Sequence, residues 1–190
     1  MISFKKKYFL IIESIKDISL RNIKKNNKFI IIYRYQNEPE EIENLVSFRK
    51  KCRLSSTKFF VANNISLAVK LNADGIYLSS KNKEFKSLNL KKDNFSIIGS
   101  AHNIKEINIK KKQGCDYVLL SRLFKVSYKP NLNYLGINKF NKYVFCFDKK
   151  IVPLGGINHS NLNNIKNLRS EAIAIMTEIK KKPAIISRLF

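Results

Sequence analysis

The residues best placed to do chemistry lie in Ile151-Val152-Pro153-Leu154-Gly155-Gly156-Ile157-Asn158, an apolar run that ends in two adjacent glycines. A helix-like segment, Ser160 to Leu168, follows it. Strand, Gly-Gly turn and helix start together form an anion-binding arrangement. Glycine lets the backbone approach a ligand closely, and helix-start N–H groups point at negative charge. A second buried run, Glu171 to Ile175, ends at Met176-Thr177. Two successive strand-to-helix turns late in an α/β chain are where a (β/α)8 barrel often builds a phosphate site. The same glycines also suit a plain tight turn. Cys52, Cys115 and Cys146 are far apart and lack CxxC spacing. They provide neither a disulfide frame nor a zinc site, and they fit a reducing compartment.

The elements that must position these groups alternate between strand-like and helix-like. Strands are expected over Lys7–Glu13, Phe29–Tyr33, Lys58–Val61, Gly75–Leu78, Phe95–Ile98 and Asp116–Leu120, and in the two late runs. A short helical piece reaches Lys25. Pro39 to Cys52 reads as a helix, with proline at its first position, glutamates in its first turn and basic residues in its last. A helix is expected from Ile65 to Leu71, and a short helix or turn from Leu88 to Lys92. Gly99-Ser100-Ala101-His102 is expected to turn. Asn103 then caps a helix that stops at Gly114. Ser121 to Asn133 reads as a polar loop, and Leu135 to Phe147 is poorly marked. Lys180 to Phe190 is an amphipathic helix interrupted near Pro183. Eight strand candidates separated by helix-length pieces favour a short, minimal-loop (β/α)8 TIM barrel. An open flavodoxin-like or Rossmann sheet is the alternative, although no GxGxxG follows the first strand.

Length and composition set the bounds. The 190 residues, 44% hydrophobic, predict a single domain over 1–190 with a real core. No apolar run reaches the eighteen or so residues of a membrane span, and the run after the basic start, Phe9 to Ile12, stops too early for a signal peptide. A cytoplasmic location is the expectation. The 37 basic and 14 acidic residues, +23 net, invite a polyanion-binding reading. The lysines are scattered over predicted helix faces, however, as in a solvated surface.

Several segments resemble the thiamine phosphate synthase / TenI-type family of (β/α)8 barrels. They are Ala73-Asp74-Gly75-Ile76-Tyr77-Leu78, Ile98-Gly99-Ser100-Ala101-His102, Gly114-Cys115-Asp116-Tyr117-Val118, Tyr128-Lys129-Pro130 and Gly155-Gly156-Ile157-Asn158, in that order. The resemblance covers roughly Phe29 to Thr177. It implies a transferase of thiamine biosynthesis that joins hydroxymethylpyrimidine diphosphate to thiazole phosphate and releases pyrophosphate, with Mg²⁺ helping the diphosphate leave. By the same resemblance, Lys129 holds the diphosphate and Arg34 belongs to its second-strand cation pattern. Ser100 faces the substrate, Gly156 beside Gly155 binds the thiazole phosphate through its N–H, and Met176 and Thr177 complete the phosphate site. The implied partners are small phosphorylated thiazole and pyrimidine ligands. No specific nucleic acid and no membrane are expected, and a homodimer is compatible.

The sequence also departs from the family pattern. The aspartates expected after the third and fourth strands read Asn63 and Asn82, and an amide supplies an oxygen without the negative charge that Mg²⁺ prefers. The second-strand glutamine and lysine read Ile32 and Gln36, and the threonine before Lys129 reads Tyr128. The diphosphate half is therefore eroded, while Gly155, Gly156 and Thr177 keep the monophosphate half. A TenI-like thiazole tautomerase needs no metal, and His102 stands where that branch places its acid/base imidazole. His102 as a helix-start residue without chemistry, and the whole chain as a catalytically silent phosphate-binding relative, remain open alternatives.

Overall fold

The computed structural model describes residues 7–23, 26–90, 95–126, 131–147 and 150–176. Lys129, Thr177 and the expected closing helix, Lys180 to Phe190, lie outside these residues. Eight parallel strands close into a barrel in sequence order. They are β1 (Lys7–Ile12), β2 (Phe29–Tyr33), β3 (Lys58–Ala62), β4 (Gly75–Leu78), β5 (Ser96–Ala101), β6 (Tyr117–Ser121), β7 (Lys150–Leu154) and β8 (Ala172–Ile175). β8 returns to pair with β1, Ile173 opposite Tyr8.

The strands read as unbroken apolar runs because both of their faces are covered. Phe9, Ile11, Ile30, Ile32 and Phe60 point into the barrel. Their alternates Tyr8, Leu10, Ile31, Phe59 and Val61 pack in the outer core. Four α-helices accompany the strands among the described residues: α1 (Ile42–Leu54), α2 (Ile65–Lys70), α3 (Ile104–Lys112) and α4 (Gly136–Cys146). Elsewhere among the described residues the connections hold 3-10 segments, three between β1 and β2, one, Lys86–Leu90, between β4 and β5, and one, His159–Asn167, between β7 and β8. These short links let so few residues close eight strands.

Strand register is fixed at the end of the barrel where the strands begin. Asp74, just before β4, accepts from the Phe59 N–H at 2.7 Å while its own N–H donates to the Phe59 carbonyl. Its carboxylate also pairs with the buried Arg49 of α1 at 3.0 Å. Asp116, just before β6, makes the same reciprocal pair with Ile97. These are the capping roles their sequence positions suggest.

Three sequence expectations need correction. The helix expected from Pro39 begins at Ile42, because the Glu40 carboxylate accepts from the Ser14 hydroxyl and the Ile15 N–H, which draws this stretch onto the end of β1. Gly99-Ser100-Ala101 is not a turn but the last half of β5, paired with Val118, Leu119 and Leu120. A Cβ on Gly99 would come within 2.8 Å of Lys110 Cδ and Cys115 Sγ, so this glycine makes room for α3. The segment after β7 is helical as expected, but wound as 3-10.

Candidate active site at the barrel mouth

The Gly-Gly turn opens the end of the barrel where the strands finish. Gly155 and Gly156 both take left-handed backbone, φ 93° and 71°, a conformation that disfavours side chains. A Cβ on Gly156 would also sit 2.5 Å from the Phe124 carbonyl oxygen. Both carbonyls are held. Gly155 O accepts from Phe124 N–H at 3.1 Å, and Gly156 O accepts from the Asn161 amide at 2.7 Å. In a planar trans peptide the C=O and the following N–H point opposite ways. The Gly156 N–H is therefore turned away from Phe124, and the Ile157 N–H away from Asn161. Among the described residues neither N–H has an acceptor. Asn158 caps the 3-10 segment that follows, in a reciprocal box with Asn161. Met176 follows β8, which meets β7 through Leu154 and Ala174.

A second group of side chains lies around β2, β4 and β5. Ser100 is buried on the inner face of β5, two residues beyond the interior Ile98. Arg34 follows β2, its N–H donating to Ile12 O. Between them Tyr77 projects from β4 into the interior. Burial pushes the Tyr77 phenol up, and interactions with Ser100 and the Arg34 guanidinium only partly offset this. The hydroxyl therefore stays protonated at neutral pH. On the sequence Tyr77 is only one residue of the expected strand Gly75–Leu78. The usable signal was its polar tip, because a buried tyrosine hydroxyl needs a partner.

His102 leaves β5 and turns back on α3. Its Nδ1 lies 3.0 Å from Glu106 Oε2, and its main-chain N–H donates to the same oxygen at 2.7 Å. Burial alone would raise the Glu106 carboxyl, but hydrogen bonds from the His102 backbone and ring and from Asn103 leave it below the ordinary range. Burial pushes the Cys52 thiol up to about 12, which removes it as a nucleophile.

Lys110 was missed because it opens the run Lys110-Lys111-Lys112, which reads as solvated surface. It is fully buried, and its ammonium donates to Ser79 O, Asn82 O and Gln113 Oε1 at 2.7, 2.6 and 2.9 Å. Its place three residues after the buried Ile107 was the available signal. A polar cavity of about 560 Å³, lined by Arg49, Arg53, Lys58 and Asp74 among others, lies at the opposite end of the barrel.

The family model described as thiamine monophosphate synthase matches residues 13–179. The chain belongs to this thiamine monophosphate synthase family. A thiamine-phosphate synthase from Prochlorococcus marinus subsp. pastoris is 28% identical over 170 residues, covering 88% of this chain and 47% of that protein. One from Methanococcus vannielii is 26% identical over 143 residues, covering 75% and 69%. The chain spans about half the length of the Prochlorococcus relatives it matches. The solved thiamine phosphate pyrophosphorylase from Pyrococcus furiosus superposes with a TM-score of 0.75 at 20% identity, over 100% of both chains. KGPDC from Streptococcus mutans reaches 0.67 at 10% identity, covering 97% of this chain and 95% of that one. Both structures share the barrel fold.

The Mg²⁺ implied by the thiamine monophosphate synthase family does not fit the donors at Asn63 and Asn82. The Asn63 side-chain oxygen already accepts from Ser79 N–H at 2.9 Å, and that of Asn82 from Glu84 N–H at 3.0 Å. Neither position supplies negative charge, which Mg²⁺ sites rely on. The Lys110 ammonium on the Asn82 carbonyl places a positive charge beside them. Among the described residues no group of three His, Cys, Asp or Glu side chains could hold a metal ion. No helix among them is long and apolar enough to cross a membrane.

Proposed function

We propose that the chain carries a thiamine-phosphate-synthase-type transferase site for a phosphorylated thiazole and a pyrimidine diphosphate. The observation that carries this reading is the Gly155–Gly156 turn at the barrel mouth, where the N–H groups of Gly156 and Ile157 have no acceptor among the described residues. Two backbone donors and glycines without side chains suit a phosphomonoester. Arg34 and Ser100, with Tyr77 between them, would face the second substrate and its pyrophosphate leaving group. In the reaction the pyrimidine methylene–oxygen bond breaks, the pair of electrons leaving with pyrophosphate. The thiazole nitrogen lone pair forms the new carbon–nitrogen bond. This chain's part is to hold the two substrates in line and to offset charge on the departing diphosphate. Lys129, Met176 and Thr177 belong to the same proposal by their places in the sequence.

The test mixes purified protein with hydroxymethylpyrimidine diphosphate, thiazole phosphate and Mg²⁺ and follows thiamine phosphate by chromatography. Product that disappears in Lys129→Ala supports the transferase. No product from the wild type overturns it.

A second reading rests on the His102–Glu106 contact. A carboxylate that holds Nδ1 fixes the ring, leaving Nε2 to move a proton as a thiazole tautomerase would require. Thiazole carboxylate phosphate isomerised by wild type and not by His102→Ala would select it. Thiazole phosphate that binds without either turnover would leave a silent relative.

A further inference from the structure

Arg122 lies against the Gly-Gly turn and has no role in the readings above. Its backbone is fixed at the end of β6. Arg122 O accepts from Leu135 N–H at 2.9 Å, and the next residue, Leu123, donates to Leu154 O at 2.9 Å. The Arg122 Cα, Cβ and Cγ all lie 3.4–3.5 Å from the point a Cβ on Gly155 would occupy. The side chain thus runs over the first glycine of the turn, in space that this glycine leaves open. One guanidinium nitrogen donates to the Asn133 carbonyl over a long 3.3 Å. Among the described residues the other guanidinium N–H groups have no acceptor and no carboxylate pairs with them.

We infer that Arg122 is a phosphate-binding residue of this chain, closing on a phosphomonoester seated at the Gly156 and Ile157 N–H groups. The inference rests on the phosphorylated-ligand reading of that turn. Two neutral backbone donors leave most of a phosphate's charge unmet, and Arg122, whose stem lies against Gly155, can swing its guanidinium in to supply the missing cation. A charge-assisted, two-pronged contact is roughly twice as strong as a neutral hydrogen bond, so the phosphate would displace the Asn133 carbonyl. The guanidinium's planar fork suits this task better than an ammonium. The long polar loop of the sequence, Ser121 to Asn133, therefore contributes a cation to the monophosphate half through its second residue.

Isothermal titration with hydroxyethylthiazole phosphate and with unphosphorylated hydroxyethylthiazole tests this, using the full chain as wild type, Arg122→Gln and Arg122→Lys. The expected result is that Arg122→Gln weakens the phosphorylated probe by about tenfold or more and leaves the unphosphorylated probe unchanged. Arg122→Lys should fall between. Equal affinity of wild type and Arg122→Gln for the phosphorylated probe, with wild type still preferring it, overturns the role of Arg122 alone. A wild type that does not distinguish the two probes overturns the phosphate reading of the turn and the inference with it. Circular dichroism checks folding. Should Arg122→Gln fail to fold, the Arg122→Lys affinity decides, an unchanged value overturning the inference.

Discussion

The Lys110 ammonium donates to the main-chain carbonyl of Asn82 at 2.6 Å, so a helix two elements further along the chain holds the turn that follows β4. No carboxylate shares this contact; its partners are the carbonyls of Ser79 and Asn82 and the amide of Gln113. Lys110→Met should keep the stem's packing but leave Gln113 Oε1 without its donor, while Ser79 O keeps the Asn82 N–H and Asn82 O keeps the Gln113 amide. The expected loss is about 1–3 kcal/mol of unfolding free energy, the cost of one buried acceptor left unsatisfied. Urea denaturation measures it. A change under about 0.5 kcal/mol would show that water replaces the ammonium without cost.

Gly156→Ala combines a left-handed backbone with a methyl group 2.5 Å from the Phe124 carbonyl. Strained backbone of this kind costs about 1–3 kcal/mol by itself, and the close contact adds to it. The melting temperature should fall, and thiazole phosphate should no longer raise it. A variant as stable as wild type would mean the turn yields easily.

Asp74→Ala removes the acceptor for Phe59 N–H and leaves the buried Arg49 without its carboxylate. Because the Asp74 side chain is 28% exposed, the effect belongs below the usual range for a fully buried pair, at about 2–3 kcal/mol. Arg49→Met with Asp74→Ala should recover part of this in a double-mutant cycle. Additive losses would mean the two side chains act independently.

The depressed Glu106 carboxyl predicts an acid-side loss of stability. Its folded-state pKa lies below its unfolded value, so its contribution is complete above the ordinary carboxylate range and is lost as pH falls through the folded value. Glu106→Gln should flatten the stability profile in that acidic window and leave the profile near neutrality parallel to wild type. Superimposable acid limbs would remove Glu106 from the account.

Asn63→Asp with Asn82→Asp should create a metal response. Each new carboxylate can still accept the Ser79 or Glu84 N–H that the amide accepts now, so the fold should persist. Millimolar Mg²⁺ should then raise the melting temperature of the double variant and leave that of wild type unchanged. An equal response in both would show that these positions do not select for metal.

Much of this barrel was legible because its physics is local. Strands buried on both faces leave continuous β-branched and aromatic runs, and Asp74 and Asp116 mark the strand starts they cap. Gly155 and Gly156 were legible for a similar reason, since adjacent glycines after a strand announce left-handed backbone. The helix Gly136–Cys146 was obscure because it has no acidic first turn and no side-chain cap. Local pattern also does not distinguish 3-10 from α winding over Ser160 to Leu168. Lys110, Tyr77 and Arg122 were passed over for one reason. Each has an ordinary local explanation, as surface, core and loop, and only the packing of distant elements brings the Lys110 ammonium to carbonyl oxygens, the Tyr77 hydroxyl to Ser100 and Arg34, and the Arg122 stem to the turn.

Because strand register is locked by aspartates at the end of the barrel remote from the Gly-Gly turn, a lineage can rewrite the mouth one position at a time while every intermediate still folds. Exchanging amide and carboxylate at positions 63 and 82, where either oxygen can keep its backbone bond, would be a change of that kind. The barrel can change its chemistry without passing through an unfolded ancestor.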